Sequence, residues 1–163
     1  SIGTTAGKRL AATWFRKRIE DDTPHADAIA FIARKSNVSE EEMLAYYREA
    51  VSAEIDGVVE RVLQNTSRKY FQYSPNHNSA ASGEKTDAVV VLKEYFTDPN
   101  DANYEKLLET MRHFGTQSLA STQEKARFTA YIRVVELLSP KLRRRIAKDI
   151  YKEETPQNRS GSD

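Results

Sequence analysis

The chain is 163 residues long and 30% charged, yet its net charge is only +1, so no global basic field surrounds it and any anion-binding surface must be local. Cysteine is absent, which excludes disulfides and every thiolate site and fits a reducing compartment. No run approaches the ~18 apolar residues of a membrane span, and Ser1–Trp14 lacks the apolar core of a signal peptide. The expectation is one cytoplasmic domain spanning residues 8–153 with no membrane contact, and the initial Ser in place of Met fits a processed chain or a fragment.

In chain order, residues 1–7 are small and polar and read as a flexible lead-in. From Lys8 to about Glu20, Leu10, Ala11, Trp14, Phe15 and Ile19 recur at helical spacing, with Trp14 as the expected core anchor and Lys8, Arg9, Arg16, Lys17 and Arg18 around the rest. Thr23 can cap a second helix that begins with Pro24 and runs to about Ser36.

The most specific local pattern follows in AIAFIARKSNVSEEEMLAYY, residues 28–47. Small Ala33 allows close approach of two helices, Asn37 suits the left-handed conformation that ends the first, and Val38 plugs the angle between them. Ser39 and Glu42 have the spacing of a reciprocal capping box, with Val38 and Met43 as its hydrophobic staple. The third helix then continues from Glu40 to Leu63, longer than a recognition helix needs.

Residues 65–85 lose periodicity and read as a loop, with Tyr70, Phe71 and Tyr73 able to pin its first third to the core. Further helices are expected over Thr86–Thr97, Tyr104–Phe114 (ended by Gly115), Ser121–Leu138 and from Pro140 to about Glu153, and no strand pair is required. The tail over 154–163 reads as disordered. The expected fold is all-α, with about seven helices: an N-terminal tri-helical, helix-turn-helix-like unit (8–64) continued into a C-terminal helical bundle (86–153).

Two features point to nucleic acid. A helix-turn-helix presents the start of its second helix to base edges while nearby cations neutralise phosphates, and Arg34, Lys35 and Arg48, helped by Arg16, Lys17 and Arg18, are candidates for the second task. The last helix carries a basic stripe, since Lys141, Arg144, Arg145, Lys148 and Lys152 share one sector at 100° per residue while Leu142, Ile146 and Ile150 share another. Against groove reading stands the helix start itself, Glu40, Glu41 and Glu42, which phosphates repel and for which only a cytosine amino group is a good partner. The leading expectation is therefore a DNA-binding regulator or accessory factor, with DNA favoured over RNA. Its rival is a protein-interaction module or adaptor in which Glu40 and Glu41 contact a partner chain, possible homo-oligomers included.

Chemistry is not indicated elsewhere. The ring-and-cation run Arg68, Lys69, Tyr70, Phe71, Tyr73 could stack single strands, but without a sheet to display it burial is expected. His25, His77 and His113 are scattered, the Glu109/His113 pair lacks the partners of a di-metal bundle, and Gly3–Lys8 is a residue short of a phosphate loop. No catalytic residue, metal or cofactor is expected.

Overall fold

The computed structural model describes residues 2–23, 26–75 and 84–154. Within them are seven α-helices: α1 (Ile2–Asp21), α2 (Ala26–Ser36), α3 (Glu40–Leu63), α4 (Ala88–Thr97), α5 (Asp101–Gln117), α6 (Thr122–Leu138) and α7 (Pro140–Glu154). The fold is all-α. A 3-10 turn (Arg68–Phe71) leads into the one departure from helix, a two-residue strand β1 (Gln72–Tyr73) paired antiparallel with β2 (Thr86–Asp87). That pair corrects the expectation of no strands, and it moves the start of α4 from Thr86 to Ala88, where Asp87 caps Val89 N at 2.9 Å. Pro24 and His25, His77 and the tail lie outside the described residues.

Long α3 is the central element and packs against α1, α2, α4 and α6. It buries Met43, Tyr47, Val51, Ile55, Val58, Val59 and Leu63 on one continuous face, as its apolar periodicity requires. Helices α4, α5, α6 and α7 pack in sequential pairs, and α7 returns to touch α1. One hydrophobic cluster, from Ala11 to Ile146, runs through all seven helices. Its centre is aromatic: Tyr131 meets Phe71 at 5.4 Å and Phe114 at 5.1 Å between ring centroids, and its hydroxyl donates to Ala88 O at 2.8 Å. Phe71 and Tyr73 are thus buried, as expected, and the Arg127 guanidinium clamps them by donating to Gln72 O while lying over the Phe114 ring.

The helix ends follow the sequence closely. Asn37 adopts φ 58° after α2, with Asn37 N donating to Arg34 O and Val38 N to Ala33 O, a Schellman ending. Asp22 at φ 51° ends α1 in the same way, through Asp22 N to Ile19 O and Thr23 N to Arg18 O. Ser39 caps α3 by accepting from Glu42 N at 3.1 Å. The reciprocal half of the box does not form, because the Glu42 carboxylate instead accepts from the Tyr46 hydroxyl one turn on. Ser121 and Glu124 repeat this outcome: Ser121 caps, and Glu124 turns to Arg127.

Three expectations about extent and burial are corrected. The N-terminal stretch is helical from Ile2, because Gly7 lets α1 lie against α3; an added Cβ there would sit 3.2 Å from the Tyr46 ring. Helix α5 continues past Gly115 to Gln117, the glycine facing the Phe128 ring from inside the helix instead of ending it. Trp14 is not the core anchor of α1. Ala11, Phe15 and Ile19 are buried, whereas Trp14 sits at the edge, tilted against Phe31 of α2.

Candidate nucleic-acid interface

The turn between α2 and α3 is the three residues 37–39, and Ala33 is buried where the two helices meet. The outward surface of the first turns of α3 is Glu40, Glu41, Glu42, Ala45, Arg48 and Glu49, all exposed. Four carboxylates against one guanidinium give this surface a negative charge. Such a surface suits a helix N-terminus but opposes entry into a phosphate-lined groove.

The candidate cations do not form one cluster. Arg34 and Lys35 are exposed at the end of α2, with Lys35 Nζ 5.4 Å from the Phe31 ring centre. Arg48 opens onto a different recess, of about 460 Å³, shared with Lys93, Glu94, Thr97, Asp98 and Asn103 at the α4–α5 corner. The helix-turn-helix cations are therefore split between two faces.

The cations of the α7 stripe, Lys141, Arg144, Arg145, Lys148 and Lys152, are all exposed, but they differ in what they contact. Ser139 Oγ accepts from Leu142 N at 3.1 Å, setting the start of the helix, and donates to Glu20 O at 3.1 Å, fixing that start to the end of α1. With Leu142 and Ile146 buried beneath, the opposite face is presented to solvent. Arg144, Lys148 and Lys152 lie there exposed, and none pairs with a carboxylate among the described residues. Lys141 is held loosely by Asp21 at 3.6 Å.

Arg145 is exposed but engaged with neighbouring helices. Its Nη1 donates to Asp22 Oδ2 at 3.2 Å and to the Tyr95 hydroxyl at 3.0 Å, and its guanidinium lies 3.8 Å from the centre of the Tyr104 ring. Tyr95 donates to the other Asp22 oxygen at 2.7 Å, and Tyr104 to Asp149 at 2.6 Å. Burial, then the hydrogen bond to Asp22, pushes the Tyr95 phenol well above its ordinary range; burial, then Asp149, does the same to Tyr104. Burial disfavours the Arg145 charge, but Tyr95, Asp22 and Tyr104 outweigh it and hold that charge more firmly than usual. This is a structural junction of α1, α4, α5 and α7, in which Arg145 takes part while its side chain stays 44% exposed.

Helix α1 carries a row of exposed cations of its own. Lys8, Arg9, Arg16 and Lys17 are all exposed and make no ion pair among the described residues, while Glu20 is the exposed acid at the far end of that face. The Glu20–Ser139 and Asp21–Lys141 contacts bring this end of α1 to the start of the α7 stripe.

Compared with protein-family models, curated proteins and solved structures, the chain finds no match in any of the three. Among the described residues no group of three His, Cys, Asp or Glu could hold a metal ion, and His113 stacks on Tyr73 at 4.3 Å. Gly3–Lys8, the stretch resembling a phosphate loop in composition, is helical. No helix of the described residues is long and apolar enough to cross a membrane.

The feature missed from sequence is the Trp14–Phe31 ring pair. A helical wheel contains the signal. Ala28, Ile29, Ile32, Ala33 and Ser36 form the buried face of α2, and Phe31 lies about 130° from its centre.

Proposed function

We propose that the protein binds nucleic acid along its phosphate backbone, as a DNA-binding regulator or accessory factor, using the exposed cations of α7 and α1 without inserting α3 into a groove. What supports this reading above all is the row Arg144, Lys148 and Lys152, exposed on one side of a docked helix and unpaired among the described residues. Each phosphate such a cation neutralises releases a counterion, which supplies affinity without sequence preference. The acidic start of α3 then has a place outside the contact, where it discourages docking in the wrong orientation.

Anisotropy of a labelled duplex across a salt series tests this. Arg144→Gln, Lys148→Gln and Lys152→Gln should each weaken binding to all sequences alike and make the salt slope shallower by about one unit for each phosphate left unneutralised. An unchanged slope in the triple variant would remove α7 from the interface.

A second reading, a protein-interaction module, is favoured by the exposed Glu40, Glu41 and Glu49 on α3. Changing Glu40 and Glu41 to glutamine separates the two. A backbone binder keeps or gains nucleic-acid affinity, whereas an adaptor that uses these carboxylates loses a basic protein partner and shows negligible nucleic-acid affinity from the start.

A further inference from the structure

Phe31 is 40% exposed on α2, in contact with Trp14 of α1 at 5.7 Å between ring centres and 58° between ring planes. The buried faces of α1 and α2 include Ala11, Phe15, Ile19, Ile29, Ile32 and Ala33; Phe31 lies outside them, and Trp14 packs against them only at the edge. Each ring carries a cation: the Arg18 guanidinium is 5.6 Å from Trp14 and Lys35 Nζ 5.4 Å from Phe31. Beside them a recess of about 380 Å³ is lined by Thr13, Trp14, Lys17, Arg18, Asp21 and Thr23. Its one carboxylate, Asp21, is answered by Lys141 at 3.6 Å. The recess and its rim are therefore aromatic and net positive, and Lys17 joins them to the outer cations of α1.

We infer that Trp14 and Phe31 form a stacking platform for a single strand of nucleic acid. The inference rests on the nucleic-acid reading above and narrows it to unpaired strands at this face. Alternating rings and cations match the alternation of bases and phosphates along a strand, and every base has a face that can stack on a ring regardless of sequence. A duplex keeps its base faces stacked internally and offers this patch only phosphates, so it would gain from the cations and nothing from the rings. A purely electrostatic surface needs no exposed ring pair. An acidic peptide with an apolar anchor is the competing occupant.

Trp14 is the protein's one tryptophan, so its fluorescence reports on this patch alone. The full chain is titrated with an oligothymidylate of about 15 nucleotides, with the matching duplex, and with an acidic phenylalanine-containing peptide. The expected result is saturable quenching by the oligothymidylate, weakened by salt, with little quenching by the duplex. Phe31→Leu, which keeps the apolar volume but removes the ring face, should weaken single-strand binding roughly 5- to 150-fold and leave duplex anisotropy unchanged; Phe31→Tyr should restore it. If single strand and duplex bind equally and Phe31→Leu alters neither, the platform is refuted while backbone binding stands. Quenching by the peptide alone would assign the patch to a protein and overturn the inference. Absence of binding to any nucleic acid would overturn the proposed function itself.

Discussion

Replacing Arg145 with glutamine would leave the Asp22 carboxylate, whose side chain is 9% exposed, with the Tyr95 hydroxyl as its remaining partner. An under-satisfied buried group of this kind costs about 1–3 kcal/mol, and the lower half of that range applies because Arg145 is itself 44% exposed and screened by water. Urea midpoints should therefore fall for Arg145→Gln but stay put for Arg144→Gln. The two neighbours were indistinguishable in the sequence. A wheel drawn on α7 shows its own periodicity, but not an aspartate 123 residues away or a tyrosine 50 residues away. The same limit explains Trp14: the stripe of α1 was legible, but which large residue sits at its centre depends on where α2 crosses. Phe15→Ala should cost about 3–5 kcal/mol and Trp14→Ala clearly less, a difference that thermal unfolding of the pair would reveal.

At the scale of single helices, local chemistry was readable because its causes are local. Asn37, Ser39, Ser121 and Ser139 all act at helix ends where the sequence places them, whereas the Asp87 cap was not read. The glutamates three residues after Ser39 and Ser121 found better partners on the following turn, an alternative the capping spacing does not encode. Gly115 misled for a related reason, since a glycine that stops a helix and one that admits a neighbouring ring look alike in sequence. Gly57, by contrast, lies in mid-α3 with nothing within 4 Å of the position a Cβ would take. Gly57→Ala should raise stability by roughly 0.5–1 kcal/mol. Gly7→Ala, where the Tyr46 ring is only 3.2 Å from the added carbon, should not; paired melting curves decide. Ser139 is fully buried and acts at both of its ends, so Ser139→Ala should cost about 1–2 kcal/mol, measured by urea unfolding.

Across the whole molecule, the all-α class was legible from period and length alone, whereas the small β1–β2 pair was not, two residues per strand being too short for alternation to register. The proposed interface was half legible: charge sectors show in a sequence, but the aromatic pair needs two helices placed side by side. Buried phenols also give the molecule a pH limit. Tyr47, Tyr95, Tyr104 and Tyr131 are all pushed above the ordinary tyrosine value of 10.0, with burial the largest cause in each. Above that value the unfolded chain gives up these protons while the folded chain keeps them, so the stabilisation is complete below it and is lost as pH rises. Melting temperature should hold up to about pH 10 and decline as pH rises above it, and Tyr95→Phe should make that decline shallower.

The junction at Asp22 also sets a timetable for synthesis. At about 5–20 residues per second, the 123 residues separating Asp22 from Arg145 take roughly 6–25 s to emerge. Throughout that interval Asp22 lacks its arginine partner. Helices α1 to α3 can gather around their own apolar faces, but the carboxylate that will be enclosed stays hydrated until Tyr95 and then Arg145 arrive. A chain that ends just before Arg145 would therefore hold Asp22 with the Tyr95 hydroxyl alone, short of the guanidinium that completes its shell.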